Sequence, residues 1–375
     1  MISYIRRRNM KIVNIGEPEI VMQNKDGLHN YFGWPTATRL QNGRIAVAAS
    51  GFRMDHLCPF GKMVVAYSDD DGKTYTAPAP VIDTPLDDRD GGIVSFGKSG
   101  VIVTSFNHRR APYRQWAKGW AEKRGATAYV NEYLNLISDE QENRFYGTTF
   151  RISNDCGLTF GPIHKSPVTS PHGPCALSDG SILWVGSEHP RGKSNFLKAY
   201  RINTDGSYEL VGTIEDIYVD GELQNACEPY TIELDDGRLL CHIRVQNLNK
   251  SSVDGTLFTV FQSVSKDKGK SWSKPVQILP DKSGAPAHII KHSSGVLISV
   301  YGRRIEPYGI KAMFSFDNGK SWDVDYDVYP SGVNSDLGYP STVEMPDASL
   351  LTVFYARPID SPAVVIMQQR WRIEF

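Results

Sequence analysis

One eight-residue phrase occurs four times in this chain and constrains its fold more than any other feature. It reads Ser-x-Asp-x-Gly-x-(Thr/Ser)-aromatic, and its copies begin at Ser68, Ser153, Ser265 and Ser315. The Asp can accept local backbone hydrogen bonds and the Gly can adopt a positive φ, which is what a tight turn between strands requires. Four copies therefore predict a repeat protein built from similar β units.

A second repeat, a turn followed by a short apolar strand, indicates how many units there are. The turn residues of its six copies are Gly43, Gly100, Gly180, Gly237, Gly295 and Ala348. Their successive intervals of 57, 80, 57, 58 and 53 residues suit a four-stranded propeller blade with its loops. The predicted fold class is all-β, a six-bladed β-propeller that forms a single domain over residues 1–375.

The two ends of the chain are expected to share one blade. Lys11–Ile15 and Ala363–Met367 are both short and rich in β-branched residues, and their pairing would remove an exposed sheet edge. The one long interval holds an insertion at residues 109–144, where aromatic residues at helical spacing predict two short helices. A lid over the site, a subunit interface of a homo-oligomer and a simple decoration of the rim all remain open for this insertion.

Composition directs attention to a local site. The formal net charge of −1 over 375 residues favours neither nucleic acid nor a membrane surface as a partner. The five cysteines are scattered, and no metal-binding or phosphate-binding motif occurs, so no cofactor and no metal are expected.

Met1–Met10 has basic residues without a following apolar stretch, which predicts a cytoplasmic protein, or a periplasmic or secreted one if a signal peptide was removed.

The repeat register predicts which residues surround the channel. Equivalent positions of the six units should encircle one axis, and the residues nine before and seven to nine after each turn should meet at one mouth. Charged and histidine side chains concentrate at or near these positions and are expected at one face, among them Arg53, Asp55, His56, Arg89, Asp90, Arg109, His172, Glu228, Arg244 and Arg303, with His288 as a further candidate. A concave mouth rich in cations suits a small anionic substrate such as a carboxylated sugar, because Arg offers a planar fork to a carboxylate.

Glu228 and Tyr339 occupy the same register position in the fourth and sixth units. A Tyr hydroxyl is a poor nucleophile at neutral pH, but a carboxylate within hydrogen-bond reach can take its proton. The pair is therefore a candidate catalytic couple, and a purely structural Tyr–Glu hydrogen bond is the alternative.

The four phrases resemble the Asp-boxes of sialidase-like β-propellers, and the likeness extends over nearly the whole chain. Asn225–Tyr230 together with Arg244 resembles the family segment that carries the catalytic Glu and a carboxylate-binding Arg. Val300–Arg303 is similar to the segment of another such Arg, and Gly338–Ser341 to that of the nucleophile. The resemblance implies that Tyr339 attacks the anomeric carbon, Glu228 takes its proton, and Arg244 with Arg303 holds a carboxylate.

The first inner strand departs from the family pattern. The family has Phe-Arg-Ile-Pro there, whereas this chain has Phe32-Gly33-Trp34-Pro35, so one guanidinium is missing. Arg53, Arg89 or Arg109 could replace it, and His56, His172 and His288 are further candidates for substrate contact. The resemblance implies Asp55 as the acid/base residue, and Asp90 is the alternative.

The function expected from these observations is that of a sialidase-like exo-glycosidase. It would hydrolyse a terminal acidic sugar, sialic acid or a related sugar acid, with retention through a Tyr nucleophile. Two alternatives stay open: a lyase of uronic-acid glycans with Tyr or His as base, and a non-catalytic carbohydrate-binding propeller, because fold does not determine function.

Overall fold

Six inner strand segments form a closed ring around one axis, and each leads outward into an antiparallel sheet. The computed structural model describes residues 10–189, 196–246, 258–280 and 284–375. The predicted six-bladed β-propeller is confirmed. Met1–Met10, used above to predict the compartment, falls almost wholly outside the described residues. Within the described ranges, no helix has the length and apolar character needed to cross a membrane.

The strands follow the blades in chain order. Before the first blade comes β1 (Lys11–Met22), and blades 1 to 3 contain β2 (Tyr31–Arg39), β3 (Ile45–Arg53), β4 (Lys62–Ser68), β5 (Ala79–Ile82), β6 (Ile93–Phe96), β7 (Gly100–Asn107), β8 (Gly147–Ser153), β9 (His164–Ser166), β10 (Val168–Thr169), β11 (Cys175–Ala176), β12 (Ile182–Glu188), β13 (Leu197–Ile202) and β14 (Tyr208–Ile214). A small hairpin and blades 4 to 6 contain β15 (Tyr218–Val219), β16 (Glu222–Leu223), β17 (Asn225–Glu233), β18 (Leu239–Gln246), β19 (Phe258–Ser265), β20 (Val276–Gln277), β21 (Gly284–Lys291), β22 (Leu297–Arg303), β23 (Gly309–Ser315), β24 (Asp323–Tyr329), β25 (Gly338–Glu344), β26 (Leu350–Ala356) and β27 (Val365–Glu374).

Both ends of the chain meet in blade 6, where the strand order is β25-β26-β27-β1. The predicted sharing of a blade is therefore confirmed, with a shifted register. Lys11 lies opposite Glu374, so the start of β1 pairs with the end of β27, whereas Met367 lies opposite Ile20, farther along β1. The cause is that β27 is ten residues long and that β1 contains an irregularity after Ile15. The outermost strand of the last blade thus comes from the start of the chain, which closes the ring.

Each of the four repeated phrases forms the turn between the third and fourth strands of its blade. In blade 2, Gly157 N donates to Ser153 Oγ (2.9 Å) and Thr159 N donates to Asp155 Oδ1 (2.9 Å). Hydrogen bonds from the Thr159 hydroxyl, the Thr159 backbone N–H and the Ser153 hydroxyl lower the pKa of Asp155 to about 2. Blade 6 has no such turn because its third and fourth strands come from opposite ends of the chain. The phrase occurs in four of the six blades, and this explains its absence from one of the other two.

The insertion between β7 and β8 contains four short helices rather than the two predicted. They are α1 (Tyr113–Trp116), α2 (Lys118–Lys123), α3 (Thr127–Leu136) and α4 (Asp139–Phe145). Gly125 at φ +64° separates the second from the third, and a capping box at Ser138 begins the fourth. The apolar faces of the helices pack on Met54, Cys58 and Phe60 of the blade 1 loop.

A buried histidine between blades 4 and 5 makes stability depend on pH. His242 contacts Ser299 Oγ at 3.0 Å and Gln262 Oε1 at 3.3 Å, and burial lowers its pKa to about 3. In the unfolded chain the same imidazole takes up a proton near pH 6.5. Acid therefore favours the unfolded state throughout the interval between these two pKa values.

We expect His242→Gln to weaken this pH dependence. Between pH 6.5 and 5 the wild-type free energy of unfolding should fall more steeply than that of the variant, by about 1 kcal/mol per pH unit. Urea denaturation at pH 6.5, 5.75 and 5 measures both slopes. Equal slopes would show that His242 takes up its proton equally in the two states.

Candidate functional site

Four residues at the mouth of the channel have left-handed backbone conformations that are rare outside glycine. They are Trp34, Asp90, Glu228 and Tyr339, with φ of 55°, 44°, 50° and 47°. Trp34, Glu228 and Tyr339 lie at interruptions in the pairing of β2, β17 and β25 with the next strand. A bulge of this kind re-aims a side chain, and backbone strain of this kind is concentrated at functional sites.

Glu228 and Tyr339 meet across the channel, as their shared register predicts. Tyr339 Oη donates to Glu228 Oε1 at 2.8 Å. Arg244 Nη1 donates to Glu228 Oε2 at 2.6 Å and to Tyr339 Oη at 3.2 Å. Burial, reinforced by Glu228, raises the pKa of Tyr339 well above its ordinary value, although Arg244 opposes the rise. The phenol is therefore protonated, with a carboxylate in position to accept its proton.

Arg304, rather than Arg303, lies beside this couple. Arg304 Nη2 donates to Tyr355 Oη at 2.7 Å, and its Cζ lies 5.4 Å from the centroid of the Tyr339 ring. Arg303 instead donates from Nε to Pro307 O at 3.1 Å and from Nη2 to Glu306 O at 3.2 Å, within its own loop. Adjacent residues at the end of a strand point to opposite faces, so a one-residue error in register changes which guanidinium reaches the mouth.

A cavity of about 440 Å³ adjoins Glu228 and extends over blades 2 to 4. It is lined by Asp90, Phe106, His108, Tyr146, Thr169, Ser170, Pro171, Ser187, Glu188, His189, Asn225, Cys227, Glu228, Arg244 and Gln246. Burial raises the pKa of Asp90, although Arg89, with its Nε 3.7 Å from Asp90 Oδ1, opposes the rise. Asp90 thus lines the same cavity as Glu228, and its carboxyl holds a proton to a higher pH than an ordinary Asp does.

The structure places Asp55 away from this cavity. Its Oδ1 accepts from the backbone N of His56 at 2.8 Å, and its Oδ2 lies 3.6 Å from Arg124 of the insertion. His56 lies next to Trp34, and its Nδ1 is 2.9 Å from both Asp336 Oδ1 and Tyr31 Oη. Of the two candidate acid/base residues, Asp90 is the one that shares the cavity with Glu228.

The three arginines considered as replacements for the missing one are engaged elsewhere. Arg53 is completely buried and makes a two-pronged ion pair with Asp87, and its Cζ lies 4.9 Å from the centroid of the Trp34 ring. Arg89 lies on the same ring at 4.3 Å. Arg109 contacts Glu142 Oε2 at 3.2 Å in the insertion. The guanidiniums next to Tyr339 are those of Arg244 and Arg304.

His172 and His288 are buried, and the ring centroid of His172 lies 6.3 Å from that of Tyr339. The centroids of the two imidazole rings are 5.1 Å apart, and His288 stacks on Tyr230 at 4.4 Å. Burial lowers the pKa of His172 to about 3 and that of His288 well below its ordinary value. Both are therefore neutral at pH 7, and neither lines the cavity next to Glu228. Within the described ranges, no group of three or more His, Cys, Asp or Glu residues is placed to hold a metal ion.

Comparison with known proteins identifies a family and supports the propeller fold. Residues 111–352 match the family described as "BNR repeat-like domain". A search of curated protein sequences gives no significant match. Among solved structures, a protein of unknown function from Dyadobacter fermentans is similar with a TM-score of 0.72 and 17% identity, covering 97% of this chain and 99% of that chain.

Two sialidase structures are also similar over nearly the full chain. The NanB sialidase of Streptococcus pneumoniae has a TM-score of 0.63 and 12% identity, covering 96% of this chain and 71% of its own. The intramolecular trans-sialidase of Ruminococcus gnavus has a TM-score of 0.59 and 12% identity, covering 94% and 97%. The chain belongs to the BNR repeat-like family, and it shares the β-propeller fold of these sialidase structures.

At Gly33, where the resemblance to sialidases led us to expect an Arg, the ring of Tyr31 lies close to the backbone. A Cβ atom at Gly33 would lie 3.2 Å from Tyr31 Cε1 and 3.8 Å from Tyr31 Oη. Tyr31 is itself held by Asp336, because its Oη donates to Asp336 Oδ1 at 3.0 Å. The aromatic ring therefore occupies the space that a longer side chain at position 33 would enter.

We expect Gly33→Arg to lower the melting temperature and Tyr31→Ala to relieve part of that loss in the double variant, since the two positions compete for one space. Thermal denaturation of the two single variants and the double variant measures this coupling. Gly119→Arg, at an exposed helical glycine with open space around it, is the control. If the changes in melting temperature of the two single variants simply add in the double variant, the two positions do not compete for one space.

Proposed function

We propose that this protein is a retaining exo-glycosidase that acts on a terminal acidic sugar with Tyr339 as its nucleophile. The observation that carries the proposal is the contact between Tyr339 Oη and Glu228 Oε1 at 2.8 Å, at the edge of an open cavity. Both side chains are held there by strained backbone at bulges of two different blades. Strain at both partners argues against an incidental structural hydrogen bond.

In the first step, Tyr339 Oη attacks the anomeric carbon and its proton passes to Glu228. Asp90 donates a proton to the glycosidic oxygen as the bond between that oxygen and the anomeric carbon breaks. The raised pKa of Asp90 keeps it protonated for this purpose at a higher pH than an ordinary carboxyl. The products are a glycosyl–tyrosine intermediate and the neutral leaving group.

In the second step, ionised Asp90 takes a proton from water, and the resulting hydroxide attacks the anomeric carbon. The bond to Tyr339 breaks, and the phenolate recovers its proton from Glu228, so both carboxyls return to their starting states. Arg244, at 3.2 Å from Tyr339 Oη, stabilises negative charge on the phenol oxygen in both steps.

The acidic character of the sugar follows from the guanidiniums beside the nucleophile. Arg244 and Arg304 both lie next to Tyr339, and an Arg side chain binds a carboxylate with two parallel hydrogen bonds. The sialidases of similar fold support the same substrate class, a sialic acid or a related sugar acid. The family's third guanidinium is absent at Gly33, so we assign the class of sugar rather than one member of it.

Replacing the nucleophile should abolish turnover without altering the fold. We expect Tyr339→Phe to reduce kcat on aryl glycosides of sialic acid and related sugar acids by at least 10³-fold, the order of loss seen when a nucleophile is removed. Steady-state kinetics over a panel of such glycosides measures this. Tyr75→Phe, which removes a hydroxyl from an outer turn, is the matched control. Equal activity in wild type and Tyr339→Phe would reject the mechanism.

The role of Asp90 can be tested through the leaving group. We expect Asp90→Asn to slow glycosides with poor alkyl leaving groups by about 10²–10⁴-fold. For 4-nitrophenyl glycosides the first step should be much less affected, because that leaving group needs no proton. A pre-steady-state burst of nitrophenol should then precede slow turnover. Asp69→Asn, on an exposed outer turn, is the control, and equal losses on both substrate types would assign proton transfer to another group.

A further inference from the structure

The helical insertion contributes one side chain to the buried charges behind the site. Tyr113, at the start of α1, is 1% exposed, and its Oη donates to Asp87 Oδ2 at 2.5 Å. Arg53 binds both oxygens of the same carboxylate, and its Nη2 lies 3.0 Å from Oδ2. Because each oxygen of an ionised carboxylate has about two lone-pair positions, these two donors occupy both positions of Oδ2.

Arg89 is consequently left between two carboxylates. Its Nη1 lies 3.8 Å from Asp87 Oδ2 and its Nε lies 3.7 Å from Asp90 Oδ1, distances that suit an ion pair but not a hydrogen bond. Within the part of the chain that the structure describes, neither Arg89 Nε nor Asp90 Oδ1 has a hydrogen-bond partner. The guanidinium rests on the Trp34 ring, whose centroid is 4.3 Å from its Cζ. A small displacement of Arg89 would therefore strengthen one ion pair and weaken the other.

The proton affinity of Asp90 depends on its distance from Arg89. Burial raises the pKa of Asp90, and Arg89 is the largest opposing influence. Among the other charged groups near this carboxyl, Glu228 raises its pKa, whereas His56 and Arg53 lower it. An opposite charge within about 4–6 Å lowers the pKa of a carboxyl by about 1–3 units, and the effect weakens as the separation grows. Movement of Arg89 away from Asp90 would thus raise the pKa of Asp90 further.

We propose that Tyr113 is a positioning residue, which keeps Arg89 beside Asp90 by occupying Asp87 and so limits how firmly Asp90 holds its proton. The consequence for catalysis rests on the proposed function. There, Asp90 gives up a proton in the first step and takes one back in the second, so its proton affinity must suit both transfers. The insertion then supports the chemistry from behind the wall of the mouth, through side chains that do not touch the sugar.

Tyr113→Phe tests this role because it removes the hydroxyl and keeps the ring. Asp87 Oδ2 then lacks one donor, and Arg89 Nη1, at 3.8 Å, can take its place. We expect the pKa of Asp90 to rise by about 0.5–1 unit, a part of the effect of a complete ion pair. Carboxyl ¹³C NMR titration of protein labelled at its Asp side chains measures this, and the Asp90 signal is identified by its absence from Asp90→Asn. An unchanged or lower pKa would overturn the proposal.

Tyr133→Phe is the matched control. Tyr133 belongs to the same insertion, and its Oη donates to Pro85 O at 3.0 Å. This substitution therefore removes a hydroxyl that holds the same loop through its backbone rather than through Asp87. We expect a comparable fall in melting temperature and no measurable change in the pKa of Asp90. An equal rise of that pKa in both variants would attribute it to general loosening of the insertion and overturn the proposal.

A second background tests the route through Arg89. In Arg89→Gln the guanidinium is absent, so adding Tyr113→Phe should no longer change the pKa of Asp90. A shift as large as in the wild-type background would show that Arg89 does not carry the effect, and would overturn the proposal. Should Arg89→Gln fail to fold, the comparison of Tyr113→Phe with Tyr133→Phe still decides it.

Kinetics distinguish failure of this proposal from failure of the proposed function. The first step needs protonated Asp90, so kcat/KM for an alkyl glycoside of an acidic sugar should fall at high pH. In Tyr113→Phe that fall should move to higher pH by about 0.5–1 unit, as the NMR titration does. A kinetic shift without the NMR shift would overturn the positioning role of Tyr113. The NMR shift in a protein that hydrolyses no acidic glycoside would reject the proposed function and leave the positioning of Arg89 by Tyr113 supported.

Discussion

The mouth of this propeller depends on left-handed backbone at the start of its inner strands. In a regular strand, successive side chains alternate between the two faces of the sheet, and neither face points along the channel. The bulges at Trp34, Glu228 and Tyr339 break that alternation. Each of the three residues precedes a proline, which restricts its backbone further. Strain of about 1–3 kcal/mol at each position persists because the inner strands pack around the ring and cannot relax separately.

Repetition explains why much of this could be predicted from one sequence. Because every blade is built alike, the turn positions define a register, and the register brings Glu228 and Tyr339 together without any structural information. The four outer turns alone would undercount the blades. Blade 6 takes its last strand from the start of the chain, and the equivalent turn of blade 3, at Asp205–Ser207, has a shorter form. The apolar strands, present in every blade, were the better guide to blade number.

What could not be predicted depends on contacts between segments far apart in the chain. Arg303 and Arg304 are indistinguishable by composition, and only the end of β22 and the position of Tyr355 decide which one lies at Tyr339. Asp55 lies in the loop where the family resemblance suggested an acid. Its carboxylate, however, lies 3.6 Å from Arg124 of the insertion and does not line the cavity next to Glu228. The cavity of blades 2 to 4 also involves Phe106 and Tyr146, which lie outside the positions that the register places at the mouth and whose residue types carry no chemical signal in a sequence.

The arginines at the mouth show why a count of cations misrepresents the electrostatics of a site. Arg53 and Arg89 are at the predicted end of the propeller, yet both lie on the Trp34 ring and both are within ion-pair distance of the buried carboxylate of Asp87. A guanidinium committed to a buried carboxylate is rigid and largely neutralised, so it shapes the wall without attracting an anion. Trp34, in turn, occupies the register position that holds Glu228 and Tyr339 in other blades. Around Gly33 the blade 1 side of the mouth is thus a packed aromatic wall, in which the buried rings of Tyr31 and Trp34 lie 6.1 Å apart, rather than the charged clamp that the resemblance to sialidases led us to expect.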